Sequence, residues 1–342
     1  MKTINLLSDT VTKPTAGMLA AMMAAEVGDD VFQADPTVLR LQQKAAGLFG
    51  VEDALFFPSG TMANQVAITI HTQPGDQVIC DHWSHIYNYE GGGVAVNSGV
   101  TSKLIVGDRG MFTAAQAAEH VSNPADIYEP ITRLISVENT TNKGGGACWS
   151  LAELRKIKQL CDANELNFHL DGARLFNALV AKQEDPKQYG ALFDTISICL
   201  SKGLGCPVGS LLLGSKETIA KALRLRKRMG GGMRQVGYLA AAGIYALDHQ
   251  VDRLAKDHLH AAKLGQALSG LSWVKKVEKI ETNIVIFYVD DQLDPEHCVQ
   301  KLAAHGVLMV GMGQGKLRMV THLDVSSQDI DNVIDVLSNV VF

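Results

Sequence analysis

A lysine at the end of an apolar segment is the first candidate for chemistry in this sequence. Residues 195–199 suit a buried strand, and Lys202 follows them between Ser201 and Gly203. A lysine in such a place is costly unless its amine is used, and a desolvated amine can attack a carbonyl carbon to form a Schiff base. The alternative is a lysine whose stem lies along apolar surface while its head reaches water. The segment alone does not separate the two.

A second candidate is Asp171, which ends the apolar run 167–170 and is followed by Arg174. Ligands of open α/β sheets bind at the carboxyl ends of strands. A carboxylate there can keep the ring nitrogen of pyridoxal phosphate protonated, which that cofactor needs to accept electrons. A structural Asp–Arg pair or a helix cap would use the same residues. The spacing favours a cofactor site, because Asp171 and Lys202 would end consecutive strands.

Small residues after another strand-like run could bind a phosphate. Ser59, Gly60 and Thr61 follow Pro58 and open a helical pattern. Free backbone N–H groups at a helix N-terminus, together with hydroxyl groups, form an anion site. An ordinary helix cap has the same composition. These residues therefore indicate a phosphate cradle only in combination with the other segments.

Three further features suit a planar, anionic ligand. His85 lies among aromatic residues after the run 77–80, where rings can stack on a ligand and a histidine can act as a base, although a single histidine is more often structural. The basic segment 224–234 resembles a solvated helix face, but its three glycines before Arg234 favour an anion site. Arg318 in an apolar strand needs a carboxylate partner, which a substrate can supply.

Composition limits the class of protein. Apolar residues make up 46% of the 342 residues, charged residues 20%, and the net charge is −5, which argues for a folded chain and against nucleic acid or an anionic membrane as a partner. The six cysteines show neither paired nor metal-ligand spacing, so we expect reduced thiols, no metal and no disulfides. Neither a signal peptide nor a membrane span is recognisable, so we expect a cytoplasmic enzyme.

The order of apolar runs predicts the architecture. Strand patterns alternate with amphipathic helices, which favours an α/β fold with a mostly parallel central sheet covered on both faces. We expect a large domain with an N-terminal arm over residues 1–250 and a small α+β domain over 251–342, with the boundary inside one long helix at 235–271. The strands expected in the large domain are 54–57, 77–80, 101–106, 134–138, 167–170, 195–199 and 209–213.

Together these segments resemble the low-specificity L-threonine aldolases of the pyridoxal-phosphate-dependent fold type I, the aspartate aminotransferase fold. The resemblance runs from residue 6 to residue 325, in the family's order. It is carried by LSDTVTKPT, EVGDDV, FPSGTMAN, HIYNYE, HLDGARLFNA, CLSKGLGCPVGS, GGGMRQ and LRMVTHLDV.

The resemblance implies pyridoxal phosphate as cofactor. Lys202 would form the Schiff base, Asp171 would pair with the pyridine nitrogen, and His85 would stack on the ring. The remaining polar groups of the cofactor would be bound by Ser59, Gly60, Thr61, Arg174, Lys227 and Arg234.

The resemblance also implies a reaction, the retro-aldol cleavage of L-threonine, L-allo-threonine and other β-hydroxy-α-amino acids to glycine and an aldehyde. Ser8, Arg174 and Arg318 would hold the substrate carboxylate, and His85 is the candidate base for the β-hydroxyl. Tyr128 lies near a position where many relatives carry a histidine that contacts the substrate side chain. Homodimers or homotetramers with active sites at the dimer interface are implied as well.

Some positions depart from the family pattern and leave the preferred substrate open. Phe32 begins a Phe-Gln-Ala segment where relatives have Tyr-Gly-Glu, Thr141 replaces a histidine, and Leu7 replaces an arginine. A β-eliminating lyase of the tryptophanase kind is the alternative enzyme, releasing pyruvate and ammonia. A binding protein that kept the pocket without turnover is the alternative outside enzymes.

Overall fold

The computed structural model of the protein describes residues 2–342. Its strands are Ile4–Asn5 (β1), Asp53–Phe57 (β2), Gln77–Asp81 (β3), Thr101–Ile105 (β4), Thr132–Glu138 (β5), Asn167–Gly172 (β6), Thr195–Cys199 (β7), Ser210–Gly214 (β8), Val274–Val277 (β9), Ile284–Val289 (β10), Val307–Leu308 (β11), Val310–Gly313 (β12) and Lys316–Val320 (β13).

The α-helices are Ala16–Met23 (α1), Pro36–Phe49 (α2), Gly60–His71 (α3), His85–Asn88 (α4), Gly93–Ser98 (α5), Ala114–Ala118 (α6), Leu151–Ala163 (α7), Leu175–Lys182 (α8), Pro186–Gly190 (α9), Lys216–Arg228 (α10), Gly237–His249 (α11), Leu254–Leu268 (α12), Pro295–Ala304 (α13) and Ser327–Asn339 (α14). Short 3-10 turns occupy Asp9–Val11 and Asp30–Phe32. Within residues 2–342, no helix combines the length and the apolar character needed to cross a membrane.

The central sheet has seven strands in the order β2-β8-β7-β6-β5-β3-β4. β3 to β7 pair in parallel, and β8 runs antiparallel to both of its neighbours. Most residues of these strands are buried, as expected for a sheet covered by helices on both faces. The seven predicted strands and the mostly parallel sheet are confirmed.

A second unit follows in the chain and has its own apolar core. Its antiparallel sheet has the order β12-β13-β10-β9, and α12, α13 and α14 contribute buried residues to the same cluster. The first strand, β1, pairs in parallel with β11, and Leu6 is buried in this second core. The start of the N-terminal arm, which the sequence argument grouped with the large domain, therefore packs on the C-terminal unit.

The prediction of a single helix over residues 235–271 is wrong. The helix is interrupted between His249, where α11 ends, and Leu254, where α12 begins. The first of the two resulting helices contributes to one core, and the second contributes to two. Ala242 of α11 belongs to the core around the central sheet, whereas Leu264 of α12 belongs to the core of the second unit. Leu254, at the start of α12, still belongs to the core around the central sheet, so α12 passes from the first core to the second.

The parallel strands bring polar residues together at one edge of the central sheet. β5 ends at Glu138, and β6 reaches Asp171 near its end; the two residues are paired partners in the sheet. Asp171 is also paired with Ser197 of β7, beyond which the chain continues to Lys202. This edge is the place where an open α/β sheet binds its ligands.

Candidate active site

Asp171 is buried at the end of β6, with 2% of its surface exposed. Its Oδ2 accepts a hydrogen bond from Nδ2 of Asn64 at 2.9 Å, and its Oδ1 accepts from the backbone N of Ala173 at 3.1 Å. Each carboxylate oxygen has room for a further donor, since it offers two lone pairs. Asp171 can therefore accept a further hydrogen bond from a ligand.

His85 begins α4 and lies beside Asp171. Its Nδ1 is 2.8 Å from Oε1 of Glu90, and its backbone N donates to Oε2 of Glu138 at 2.8 Å. His85, Glu90 and Asp171 form a close group. A ring nitrogen of His85 and one carboxylate oxygen from each of the two acids all lie within 4.8 Å of one another. Burial lowers the pKa of His85, but the hydrogen bond to Glu90 and the charge of Asp171 outweigh burial and raise it.

Lys202 lies in the turn after β7 and is half-buried. The turn is fastened through its backbone, because the carbonyl oxygen of Lys202 accepts from Oγ1 of Thr12 and from the N of Gly205, both at 2.8 Å. Its charge is close enough to lower the pKa of Asp9. The structure thus brings the lysine to the same edge of the sheet as Asp171.

The predicted phosphate cradle lies at the start of α3. Ser59 caps this helix, with its Oγ accepting from the backbone N of Met62 at 3.2 Å. The first N–H groups of an α-helix have no partner within the helix, so those of Gly60 and Thr61 are suited to an anion. Ser59 and Thr61 are exposed and accessible to such a ligand.

The basic segment 224–234 includes the end of α10 and the turn after it. This turn packs beside the start of α3, since Gly231 lies against Met62. Arg234 is exposed and donates to Oδ2 of Asp29 at 2.9 Å, and exposed Lys227 lines a cavity of about 400 Å³. Within residues 2–342, neither cation contacts the cradle residues. The structure therefore brings the segment close but does not direct these two side chains to the phosphate position.

Arg226 of the same segment has a buried side chain, which is 1% exposed. Its Nη2 donates to Oδ2 of Asp30 at 2.7 Å, and its Nη1 donates to the carbonyl oxygen of Phe56 at 2.6 Å. A buried guanidinium needs such partners because desolvation is costly.

Two arginines meet at one amide oxygen. Nη1 of Arg318 and Nη1 of Arg174 lie 3.1 and 3.5 Å from Oδ1 of Asn142. Nη2 of Arg318 donates to the carbonyl oxygen of Leu7, while its Nε is buried and has no partner among residues 2–342. A buried N–H of a charged group is expensive to leave unpaired, so this atom points to a missing acceptor such as a substrate carboxylate.

Arg174 is less available than the sequence argument assumed. Its Nε and Nη2 donate to the two carboxylate oxygens of Asp9, at 2.8 and 2.7 Å, which leaves Nη1 for a ligand. Ser8 precedes this aspartate and caps the 3-10 turn, with its Oγ accepting from the N of Thr10 at 3.2 Å. Arg174, Arg318 and Ser8 therefore lie in one region, with Asp9 among them.

Tyr128 is not brought to this group. It lies in the loop between α6 and β5 with 90% of its surface exposed, next to Ile127, which is equally exposed. Its backbone N donates to Oδ1 of Asp126 within the same loop. Its role in substrate binding stays a prediction.

Five polar residues that sequence reasoning did not assign complete the site: Asp9, Asn64, Glu90, Glu138 and Asn142. Four of them carried a signal, since Asp9, Asn64 and Glu90 lie inside segments that resemble the aldolases and Glu138 ends a predicted strand. Asn142 lies in neither kind of segment. Burial and the charge of Asp171 raise the pKa of Glu138 to about 7. Its carboxylate accepts from the backbone N of Asn142 at 2.7 Å as well as from that of His85.

The arrangement fits pyridoxal phosphate. A buried carboxylate is available for the ring nitrogen at Asp171, an amine at Lys202, a ring for stacking at His85 and free N–H groups for the phosphate at the start of α3. The unpaired Nε of Arg318 offers a place for the carboxylate of an amino acid.

Comparison with known proteins agrees with this geometry. Residues 5–292 match the family model described as beta-eliminating lyase. A probable low-specificity L-threonine aldolase of Arabidopsis thaliana is 42% identical over 98% of this chain and 96% of its own length. The low specificity L-threonine aldolase of Escherichia coli is 42% identical over 96% of this chain and 97% of its own.

Solved structures show the same fold. A threonine aldolase of Leishmania major superposes with a TM-score of 0.84 at 20% identity, covering 97% of this chain and 98% of that one. A serine palmitoyltransferase of Sphingomonas wittichii superposes with a TM-score of 0.76 at 16% identity, covering 98% and 86%. The fold is therefore fold type I, as predicted. The chain belongs to the beta-eliminating lyase family, with the low-specificity L-threonine aldolases among its relatives, and is a lyase that uses pyridoxal phosphate.

Proposed function

We propose that this enzyme cleaves L-threonine, L-allo-threonine and related β-hydroxy-α-amino acids to glycine and an aldehyde. The observation that carries the proposal is the unpaired, buried Nε of Arg318 beside Arg174, in the same site as His85, Asp171 and Lys202. It provides a carboxylate site next to residues that fit the cofactor. The names of the relatives, at 42% identity over nearly the whole chain, support the choice of reaction.

Each residue of the site has a distinct task in this proposal. Lys202 would hold the cofactor through its Nζ, and Asp171 would keep the ring nitrogen protonated. When bound, pyridoxal phosphate supplies an acceptor for the electron pair left on Cα when the Cα–Cβ bond breaks. Arg318 and Nη1 of Arg174, which lies 3.5 Å from Oδ1 of Asn142, would hold the substrate carboxylate and so fix rotation about Cα–N, which selects the bond that breaks.

His85 is the proposed base for the β-hydroxyl proton. Since a carboxylate oxygen can only accept, the contact of Nδ1 with Glu90 requires a proton on Nδ1. A neutral His85 then has a free lone pair on Nε2, which can take a proton. General-base assistance is typically worth about 10²- to 10⁴-fold in rate.

Product analysis tests the reaction. The protein, supplied with pyridoxal phosphate, is incubated with L-threonine, L-allo-threonine and phenylserine, and glycine and aldehyde are measured. Equal amounts of glycine and aldehyde support the proposal. Pyruvate and ammonia without glycine would instead establish a β-eliminating lyase, and cofactor binding without any product would leave a binding protein.

Variants test the assigned roles. Lys202→Ala should abolish the absorbance band of the covalently held cofactor, and an unchanged spectrum would remove Lys202 from its role. His85→Asn should lower turnover at saturating cofactor. A rate within about twofold of wild type, far below the effect of a typical base, would leave His85 only a stacking role.

We also propose a homodimer or homotetramer in the cytoplasm. Exposed apolar side chains such as Phe32 and Tyr128 support burial against a second copy. The six free cysteines support a reducing compartment. Light scattering of the purified protein tests the assembly, and a monomer at micromolar concentration would contradict it. Fractionation of the source cells tests the location.

A further inference from the structure

The side chain of Asn64 on α3 is buried, and both of its polar atoms have two partners. Its Nδ2 donates to Oδ2 of Asp171 and to Oε1 of Glu90, both at 2.9 Å. Its Oδ1 lies 2.6 Å from Oγ of Ser197 and 3.2 Å from Nε2 of His169. The amide thus stands between the two carboxylates of the site and two residues of the central sheet.

Elementary chemistry fixes the orientation of this amide. Carboxylate oxygens accept hydrogen bonds, so the atom of Asn64 that faces Asp171 and Glu90 must be the NH₂ group. The opposite orientation would place a carbonyl oxygen against two carboxylates. Ser197 and His169 must therefore both donate to Oδ1, which requires a proton on Nε2 of His169.

The same reasoning extends behind Asn64. Burial lowers the pKa of His169 to about 4, so the ring is neutral at neutral pH and its Nδ1 carries no proton. Oγ1 of Thr195, 2.9 Å away, must donate to that atom and can accept from Nε2 of His71 at 3.0 Å. Every hydrogen bond in the series His71–Thr195–His169–Asn64 then points toward the carboxylates.

We propose that Asn64 is a positioning residue, which His169 and Ser197 hold in one orientation so that it fixes Asp171 for the cofactor ring and Glu90 for His85. The part that concerns the cofactor rests on the proposed function. Asn64 itself touches neither cofactor nor substrate in this proposal. Its effect passes through Asp171, which would meet the ring nitrogen, and through Glu90, which holds Nδ1 of His85.

A substitution of the same shape distinguishes the hydrogen bonds of Asn64 from a role in packing alone. Asn64→Asp keeps the shape but turns both donors into acceptors facing Asp171 and Glu90. The affinity for pyridoxal phosphate is measured by equilibrium dialysis without amino acid. We expect Asn64→Asp to bind at least about tenfold more weakly than wild type, since hydrogen bonds to charged groups are lost. Affinity equal to that of wild type would overturn the proposal.

Matched variants complete the binding experiment. His169→Gln retains an N–H group that can reach Asn64 and should keep more cofactor affinity than His169→Leu, which has none. Equal loss in the two variants would count against the orienting role of His169. Thr72 is the C-cap residue of α3, and its hydroxyl donates to the carbonyl oxygen of Ile68 at 2.7 Å. Thr72→Val should bind the cofactor like wild type.

A measurement on the unaltered protein keeps the proposal testable even where a variant fails to fold. Nitrogen-15 NMR of the cofactor-free wild type reports which ring nitrogen of His169 carries the proton. We expect Nε2, and a proton on Nδ1 alone would overturn the proposal. Absence of threonine cleavage would contradict only the proposed reaction, because neither dialysis nor NMR involves the amino acid.

Discussion

Arg174 holds Asp9 through two parallel hydrogen bonds, Nε to Oδ2 at 2.8 Å and Nη2 to Oδ1 at 2.7 Å. Both side chains are buried, and the pair joins the N-terminal segment to the residue that caps α8. The geometry is the paired arrangement that makes arginine–carboxylate contacts strong. The pair also decides which donors of Arg174 remain for a ligand.

Asp9→Asn should destabilise the cofactor-free protein by about 3–5 kcal/mol, because a buried guanidinium would lose its counter-charge. The free energy of unfolding is measured in urea. Asp291→Asn removes the partner of Lys275 in an exposed ion pair and should change stability by less than about 1 kcal/mol. A loss in Asp9→Asn no larger than in this control would show that the buried pair does not stabilise the fold.

Arg318→Gln should raise the KM for L-threonine by about tenfold or more, because the carboxylate would lose a charged donor. Cofactor affinity should stay unchanged, since Arg318 is assigned to the substrate and not to the cofactor. Lys316→Gln on the same strand is the control, because Lys316 lies over the rings of Trp83 and Tyr288 instead of the carboxylate site. A KM for Arg318→Gln like that of Lys316→Gln would remove Arg318 from substrate binding.

The sequence predicted the site residues that directly follow a recognisable strand or begin a recognisable helix. Asp171 and Lys202 were placed at one edge of the sheet because buried parallel strands are recognisable as apolar runs and their carboxyl ends meet. The helix start at Ser59 was recognisable for a similar reason, since a break by Pro58 and small residues precede a helical pattern. These predictions need only local signals.

The sequence did not predict pairs between distant segments. Asp9 and Arg174 are 165 positions apart, and Arg226 pairs with Asp30 across 196 positions. No periodicity marks such partners, so Arg174 was assigned to ligands, and no partner was predicted for Arg226. The break before Leu254 was also missed, since residues 250–253 contain neither a proline nor a glycine to mark it.

Glu90→Gln should lower the pKa of His85. Burial alone lowers this pKa, and the hydrogen bond to Glu90 is the largest contribution that raises it. A neutral amide in place of the carboxylate removes the charge that stabilises the protonated ring. The titration of His85 is followed by NMR in the cofactor-free protein, with Glu129→Gln, an exposed position, as control. An unchanged or raised pKa would contradict the assigned contact.

Glu138→Gln should change how stability depends on pH. Burial and the charge of Asp171 raise the pKa of Glu138 from 4.5 to about 7, so the folded state binds a proton more tightly than the unfolded state does. Stability from this group is fully present below pH 4.5 and is lost as the pH rises through 7, a change of about 3 kcal/mol.

The glutamine variant cannot titrate, so its free energy of unfolding relative to wild type should rise by that amount between pH 4.5 and pH 7.5. The quantity to measure is the slope of this free-energy difference against pH. Glutamine also alters the hydrogen bonds from the backbone N of His85 and of Asn142, but that effect does not depend on pH. Urea unfolding of the cofactor-free protein across this range gives the slope, with Glu129→Gln as control. A difference that stays flat with pH would show that folding does not raise the pKa of Glu138 and would contradict the prediction.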